Sequence, residues 1–381
     1  MTLDIPSLLV ILTSGAWAIL GGYWTLVAGR VPRLPAQTPP LPDGVRVSVV
    51  VTACNEADTI QPAMASLQSL QLAGLEFIVV NDRSTDETGA IIDQMALGDD
   101  RVRVLHIDAL PEGWLGKVHA MHRATELASG DWVLFTDADV VFERGVVGRA
   151  VAHAEDLKLD HLTLVPAMVG ESIMLDLTVI AFFQLVCHLV FGWKRVPFGV
   201  GAFNLVRRTA LDRSEGIEWL RMEVADDTGL AHLITNAGGT SRAATALNGL
   251  SLSWYPTLAS MFRGLEKNAG LVSSQGHPWR VFAGWAAGTT AMLTPIVGAA
   301  FRPDLWPIVA AGFGTLAVAT FRLRLRMNGR PWLAPFAPIG LFLVGTCGLW
   351  SMIQILRTGG INWRGTSYSW DKLVKGQRVK L

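Results

Sequence analysis

The sequence predicts an α/β domain with a mixed, mostly parallel sheet, attached to one N-terminal and about three C-terminal membrane helices. Two observations predict this fold class. Half of the 381 residues are hydrophobic and the mean hydropathy is +0.36, which is too apolar for an ordinary soluble enzyme. The charges are concentrated in one polar section between uncharged runs, and there strand-like runs alternate with helical patterns.

The uncharged runs are long enough to cross a membrane, because roughly 20 apolar residues in a helix span a bilayer core about 30 Å thick. They cover residues 8–28, 281–301, 305–321 and 331–356. Buried core helices are the alternative and fit poorly at these lengths. The chain then divides into an N-terminal anchor (1–30), a proline-rich stiff linker (31–44), a globular domain (45–280), C-terminal membrane helices (281–357) and a basic tail (358–381).

The distribution of basic residues predicts the orientation. Residues 1–7 contain no Lys or Arg, so the basic start of a cleaved signal peptide is missing. Arg30 and Arg33 follow the first run, which places the polar domain in the cytoplasm of a multi-pass protein of the cell (inner) membrane. The basic tail also favours the cytoplasm, whereas three full C-terminal spans would put it outside. We therefore expect one C-terminal run to be re-entrant or interfacial.

A further apolar stretch, residues 173–193, carries Asp176, Gln184 and His188. It is too polar for a confident span and too apolar for a solvated helix, so we expect an interfacial helix near the lipid headgroups. His188 is more readily explained as a buried or interfacial histidine than as a substrate ligand.

Composition also excludes some functions. Cys54, Cys187 and Cys347 have no ligand spacing or pairing pattern, which argues against zinc and against a disulfide framework. The net charge is zero and no basic stripe is interleaved with aromatic residues, so nucleic acid is not an expected partner.

The polar section contains four strand-like runs, at 45–52, 75–80, 101–107 and 132–136, alternating with helical patterns at 56–70, after 84–87 and at 116–128. This alternation is typical of βαβ units and a parallel sheet. Ligands bind outside the carboxyl ends of such strands. Polar residues fall at those ends, namely Asn55, Glu56, Asp82, Asp137 and Asp139.

Asp137-Ala138-Asp139 follows the fourth strand. A hard divalent cation, Mg²⁺ or Mn²⁺, prefers oxygen ligands and keeps positions open for water or substrate phosphate. The pair is therefore a candidate site for a cation that also holds a diphosphate. The alternative is a solvated turn.

Two other side chains have competing interpretations. Lys117 follows a turn-rich segment at the start of a helix, where it can neutralise a phosphate or simply be solvated. Asp82 can reach a base or ribose at the sheet edge, or it can cap the next helix.

A second acidic group, Glu223-Val224-Ala225-Asp226-Asp227-Thr228, precedes a helical run. It can supply a general base that removes a proton from an acceptor hydroxyl, or it can merely favour the helix dipole. His119 and His122 are expected to be structural, and His277 is a weaker candidate for completing a metal shell.

Five segments in order carry a family resemblance. They are Val49–Glu56, Val79–Asp86, Gly113–Lys117, Thr136–Asp139 and Ala225–Asp227. The chain resembles a membrane-bound family 2 glycosyltransferase with a GT-A fold. The Gly-Trp-Leu-Gly-Lys segment, the membrane helices and the tail Asn362–Tyr368 are similar to the ceramide glucosyltransferase-like and hopanoid- or carotenoid-associated branches.

The resemblance implies a role for each matching residue. Ala53, Glu56 and Asp82 would hold the nucleoside of a nucleotide sugar. Lys117 would lie near the diphosphate, and Asp137 and Asp139 would bind the ribose and the metal–diphosphate group. Asp227, the second member of the acidic pair with Asp226, would be the base. Gly199–Asn204, with Arg207 and Arg208 after it, would shape the sugar pocket.

The chain departs from the family pattern in two places. Cys54 precedes the Asn-Glu pair, which is harmless. The Gln/Arg-x-x-Arg-Trp motif is missing, and Met261–Asn268 stands at about that position, where Arg263 or Lys267 could supply the charge. Its absence disfavours a polymer synthase.

The resemblance predicts an inverting transfer of a hexose from a nucleotide-diphosphate sugar, with a UDP-sugar expected, to a lipid hydroxyl at the cytoplasmic membrane face. One alternative is a glycosyltransferase that builds a polysaccharide or oligosaccharide. The other is a non-catalytic membrane scaffold that retains the fold.

Overall fold

The main sheet is the mixed, mostly parallel sheet that the sequence predicts. A computed structural model describes residues 4–168, 170–266, 270 and 274–379. The strands are β1 (Val47–Ala53), β2 (Leu75–Asp82), β3 (Val102–Ile107), β4 (Trp132–Asp137), β5 (Val141–Phe142), β6 (His161–Val165), β7 (Asn204–Arg207), β8 (Ser241–Thr245), β9 (Leu250–Ser251), β10 (Gly360–Trp363) and β11 (Thr366–Ser369). Seven of them form one sheet in the order β3-β2-β1-β4-β7-β6-β8, in which β7 is antiparallel to both neighbours.

The helices cover both faces of this sheet and extend below it. They are α1 (Ile5–Gly29), α2 (Ile60–Gln68), α3 (Thr88–Ala96), α4 (Gly116–Leu127), α5 (Val146–Asp156), α6 (Ile173–Phe191), α7 (Arg208–Asp212), α8 (Asp226–Asn236), α9 (Leu258–Leu265), α10 (Trp279–Phe301), α11 (Trp306–Arg326), α12 (Ala337–Thr358) and α13 (Trp370–Gly376). The central strands β1 and β4 are buried almost throughout, as expected for a parallel sheet with helices on both sides.

Helix α2 is shorter than the predicted 56–70, because the chain after β1 first makes a turn. Asn55 has a positive φ of 56°. Its backbone N–H donates to Ser84 Oγ at 3.0 Å, and its side-chain Oδ1 accepts from the Thr85 N–H at 2.8 Å. These bonds join the loops after β1 and β2, so the carboxyl ends of both strands are held together.

The helix-cap interpretation of Asp82 is wrong. Helix α3 begins at Thr88, and Asp82 is the last residue of β2. The predicted start of the helix is confirmed in part, since Asp86 Oδ1 accepts the Thr88 N–H at 3.0 Å although Glu87 makes no side-chain cap bond.

Within the part of the chain that the structure describes, five helices are long and apolar enough to cross a membrane: α1, α6, α10, α11 and α12. α1 and α11 run side by side in the same direction, with Arg302 Nη1 donating to Ser7 Oγ at one end and Gly29 beside Arg322 at the other. Two glycines allow this close approach, because a Cβ on Gly21 would lie 2.4 Å from Thr315 Oγ1 and one on Gly312 would lie 2.6 Å from Ser14 O.

Two of these apolar helices, α6 and α12, connect directly to the strands of the domain. α6 connects β6 to β7, which are paired antiparallel in the same sheet. α12 packs on α6 near its start, where Gly340 faces Leu177 O. Near its end, the Ser351 hydroxyl donates to Glu266 O at 2.6 Å, and the chain then continues directly into β10.

The segment predicted as a basic tail is folded onto the domain. β10 and β11 form a hairpin, and α13 buries Leu373 completely in the core on that side of the sheet. The backbone N–H groups of Arg378 and Val379 donate to Glu223 Oε2. Glu223 therefore binds the tail, and only the other two members of its acidic group remain as candidates for chemistry.

A fully buried ion pair connects α6 to α11. Arg324 Nη1 donates to Asp176 Oδ2 at 2.7 Å, and both side chains are 0% exposed. Breaking such a pair leaves an uncompensated charge and costs about 3–5 kcal/mol, whereas replacing both partners by apolar residues is often neutral.

We therefore predict that Arg324→Met lowers the free energy of unfolding by about 3 kcal/mol or more, while the double variant Asp176→Leu/Arg324→Met recovers most of it. Thermal unfolding of the purified protein in detergent measures both. Arg322→Met, an exposed position on the same helix, is the control and should change stability by about 0.5 kcal/mol or less. An unchanged melting temperature for Arg324→Met would contradict the prediction.

Candidate active site

One cavity of about 940 Å³ lies at the carboxyl ends of β1, β2 and β4, within the size range of small-molecule sites. Six of the predicted site residues line it: Ala53, Glu56, Asp82, Lys117, Asp137 and Asp139. The structure therefore brings together side chains from four separate segments of the sequence at the sheet edge where ligands were expected. Cys54, on the same wall, has a raised thiol pKa because of burial.

Lys117 lies between the two acidic groups. Its Nζ is 2.8 Å from Asp137 Oδ1 and 3.1 Å from Asp226 Oδ2. Burial lowers the pKa of the Lys117 ammonium, but the carboxylates of Asp137, Asp226 and Asp227 outweigh burial and hold the pKa well above its usual value. Lys117 is therefore a cation paired with two carboxylates, unlike the simply solvated lysine of the alternative interpretation.

Asp139 has the features of a metal ligand. Its Oδ1 is buried and has no hydrogen-bond partner in the protein. Burial, with the charges of Asp137 and Glu56, raises the pKa of the Asp139 carboxyl to about 7. Among the described residues no group of three or more His, Cys, Asp or Glu is arranged around a metal position. Two carboxylates nevertheless suit Mg²⁺ or Mn²⁺, whose remaining ligands are commonly water and substrate phosphate.

Asp226 and Asp227 begin α8 but point to different partners. Asp226 is buried beside Lys117, in a small recess next to the main cavity. Asp227 Oδ2 accepts the Gly201 N–H at 3.1 Å, and its Oδ1 accepts the Thr228 N–H at 2.7 Å. Burial and the neighbouring Asp226 raise the pKa of the Asp227 carboxyl to about 7. A carboxyl with this pKa is suited to accept a proton near neutral pH.

The glycines at 199 and 201 position both acidic groups. A Cβ on Gly199 would lie 1.9 Å from Asp227 O, and one on Gly201 would lie 2.3 Å from Asp137 Oδ2. The Gly201 backbone also accepts the Asp137 N–H at 3.0 Å. The segment predicted to shape the sugar pocket thus runs between Asp137 and Asp227 at a distance that no side chain would permit.

The nucleoside candidates already have protein partners. Arg83 binds Asp82 with two bonds, Nε to Oδ1 at 2.7 Å and Nη2 to Oδ2 at 2.9 Å. Glu56 Oε2 accepts the Thr59 hydroxyl at 3.0 Å, and its Oε1 is paired with Arg364. Asp82 is 3% exposed, so it presents little more than the rim of its carboxylate to the cavity.

The candidate histidines are outside this cavity among the described residues. His188 packs edge-on against Tyr23, with ring centroids 5.5 Å apart, and His119 and His122 pack against Trp114. The structural interpretation of these three fits their positions. His277 is not among the residues that line the cavity, so completion of a metal shell by His277 finds no support there.

The α9 segment and the C-terminal hairpin also line the cavity. Arg263, Gly264 and Glu266 do so at the position of the missing motif, whereas Lys267 lies outside the described residues. The hairpin contributes residues from Gly360 to Ser369 to the wall. In the sequence this segment shows only a family similarity, and no local pattern assigns it to the site.

The comparisons with known proteins agree with this geometry. Residues 48–226 match the family model described as glycosyl transferase family 2. The chain is 40% identical over 102 residues to glycosyltransferase AglD of Haloferax volcanii, covering 26% of this chain and 16% of that protein. It is 28% identical over 230 residues to a beta-monoglucosyldiacylglycerol synthase of Synechocystis, covering 56% of this chain and 47% of that protein. The chain thus spans less than two thirds of the length of these relatives.

A solved structure extends the likeness to nearly the whole chain. The mannosyltransferase PcManGT from Pyrobaculum calidifontis, in complex with GDP-Man and Mn²⁺, is 17% identical with a TM-score of 0.55. The match covers 92% of this chain and 99% of that one. The GT-A type of fold predicted from the sequence is confirmed.

Gly201→Ala tests the positioning of Asp137. The added Cβ would displace the Asp137 carboxylate, so we expect Mn²⁺ affinity, measured by electron paramagnetic resonance, to fall about 10-fold or more. Gly148→Ala in α5 is the matched control, since its Cβ would meet only Leu41 at 3.7 Å. Equal Mn²⁺ affinity in the two variants would show that Asp137 tolerates the displacement or is not a ligand.

Proposed function

We propose that this protein is an inverting glycosyltransferase that moves a hexose from a nucleoside-diphosphate sugar, a UDP-sugar being the expected donor, to a lipid hydroxyl at a membrane face. The observation that carries the proposal is the single cavity at the strand ends, in which Lys117, Asp137 and Asp139 lie together. A divalent cation held by Asp139 and Asp137 would stabilise the charge of the departing diphosphate.

Each acidic group has its own task in this proposal. Asp137 and Asp139 serve the donor, with Lys117 as a fixed positive charge beside them. Asp227, with its pKa raised to about 7, accepts the proton of the acceptor hydroxyl in a single displacement. Asp226 holds Lys117 in place from the opposite side.

A lipid acceptor is favoured by the wall that faces the apolar helices. Trp254 and Tyr255 line the cavity, and the Trp254 ring packs against Phe182 of α6 with centroids 5.1 Å apart. α12 ends at the cavity with Thr358 in its wall. A polysaccharide acceptor is the second candidate, although no described feature of this wall specifically favours it. A relative named as a glycolipid synthase also supports the lipid acceptor.

Asp227→Asn is expected to reduce turnover by roughly 10²–10⁴-fold, the usual contribution of a general base, without changing the affinity for a nucleoside diphosphate. Incubation of membranes with labelled sugar nucleotides measures turnover, and calorimetry with UDP or GDP and Mn²⁺ measures affinity. Asp139→Ala should instead abolish the Mn²⁺ dependence of nucleotide binding. Asp100→Asn, an exposed residue that is not among the residues lining the cavity, is the control.

The same assay separates the candidates. Chloroform-extractable labelled product supports a lipid acceptor, and alcohol-insoluble product supports a polysaccharide. Loss of turnover in Asp226→Asn but not in Asp227→Asn would transfer the base role to Asp226. Full complementation of a deletion strain by folded Asp139→Ala and Asp227→Asn variants would instead favour a non-catalytic scaffold.

We further propose that α1, α10 and α11 cross the membrane while α6 and α12 lie in its interface. If α6 crossed alone, β6 and β7 would be on opposite sides, although they are paired in one sheet. α12 begins after the cytoplasmic end of α11 and ends in the cavity wall, so it returns to the same side. The domain and the tail then share the cytoplasmic side of the inner membrane, in agreement with the basic residues of both.

Cysteine labelling tests this arrangement. In a background with the three native cysteines replaced by serine, Pro303→Cys should react with a membrane-impermeant maleimide on intact cells. Lys375→Cys in the tail should react only after permeabilisation, as should Asp100→Cys in the domain. Labelling of Lys375→Cys on intact cells would mean that α12 crosses the membrane.

A further inference from the structure

The β10–β11 hairpin has a rigid two-residue tip. Arg364 and Gly365 connect the strands with φ angles of 50° and 76°. Positive φ at both central positions defines the tight type of hairpin turn whose twist matches its strands. The Arg364 side chain is thus presented from a well-defined backbone.

The base of the hairpin is fixed to the domain. Ile361 and Tyr368 are buried in the core on that side of the sheet. Tyr368 lines the cavity together with Gly116, which begins α4 beside Lys117. The Thr366 hydroxyl accepts a bond from Arg83 Nη1 at 3.2 Å. The hairpin therefore belongs to the wall of the cavity and is not a loose appendage.

The tip reaches across the cavity to the end of β1. Arg364 Nη1 donates to Cys54 O, and Nη2 donates to Glu56 Oε1. One acceptor is the Glu56 carboxylate and the other follows Ala53, and both Ala53 and Glu56 are the residues expected to hold the nucleoside. A nucleotide that enters the cavity must therefore lie next to the guanidinium.

Three cations in the cavity wall differ in the protein atoms that they bind. Arg83 and Lys117 each bind two carboxylate oxygens of the protein. Arg364 binds one carboxylate oxygen, that of half-buried Glu56, and one backbone carbonyl, and a guanidinium has five N–H donors. Arginine also matches the geometry of phosphate oxygens better than other cations do.

We propose that Arg364 is a donor-binding residue whose guanidinium binds a phosphate oxygen of the nucleotide sugar while the hairpin closes the cavity over it. This inference rests on the proposed function and extends the donor site to the C-terminal tail. It also gives the chain a second cation for the diphosphate, from a segment that lies far from the position of the missing motif in sequence.

Arg364→Asn is the most informative variant for this test. Asn tolerates positive φ and an Asn-Gly pair suits this turn, so the substitution preserves the hairpin and removes the cation. The protein is the full chain in detergent with Mn²⁺, and the ligands are UDP, GDP and the corresponding nucleosides. Calorimetry with competition gives each dissociation constant. Arg357→Asn, exposed in the last turn of α12 and absent from the cavity wall, is the control.

We expect Arg364→Asn to weaken binding of the preferred nucleoside diphosphate about 10-fold or more and binding of the nucleoside less than about 2-fold. Arg364→Lys should recover part of the loss, and Arg357→Asn should behave as wild type. The inference is overturned if Arg364→Asn binds the diphosphate as well as wild type does, or if it loses affinity equally for diphosphate and nucleoside. The role of Arg364 would then be to hold the hairpin to Glu56. Wild-type protein that binds neither UDP nor GDP overturns the proposed function itself.

Discussion

The two short bonds of the Lys117 ammonium are the constraint on which the site depends. Asp137, Asp226 and Asp227 converge from two elements, β4 and α8, and without a cation between them their charges would drive the elements apart. Lys117 is the second residue of α4, so a single residue connects three parts of the fold. In the proposed function, the charge that stabilises the acidic cluster would also be the charge that the donor diphosphate meets.

The order of elements could be predicted because parallel strands buried on both faces are continuous apolar runs, and turns between them are marked by polar residues. The runs at 75–80 and 132–136 correspond to β2 and β4 with small changes at their ends. Strand β7 could not be predicted from such a pattern, because it is short, antiparallel and follows a long apolar helix. The strands with which β7 pairs depend on where α6 brings the chain back to the sheet, and tertiary packing determines that position.

The site residues on β1, β2, β4 and α4 could be predicted for a geometric reason, since strand ends of one sheet necessarily meet. The hairpin could not. Arg364 reaches Cys54 across 310 positions in sequence, and no local pattern encodes a contact that requires the membrane helices to bring the chain back. The binding of Glu223 to the backbone of Arg378 and Val379 was missed for the same reason. Both misses concern the tail, whose basic composition suggested a solvated segment.

The proposed membrane arrangement gives a reason why the tail can line the cavity. In that arrangement the chain would leave the domain through α10 and return through α11, regaining the original side after two crossings, so only a helix that does not cross would bring the hairpin to the cavity. α12 has this role, and its length of 22 residues provides the lateral reach from α11 to the strand ends. The polar atoms of Ser351 and the close approach at Gly340 hold it against the domain and α6. In the proposed arrangement, α12 would therefore both attach the protein to the membrane and complete the cavity wall.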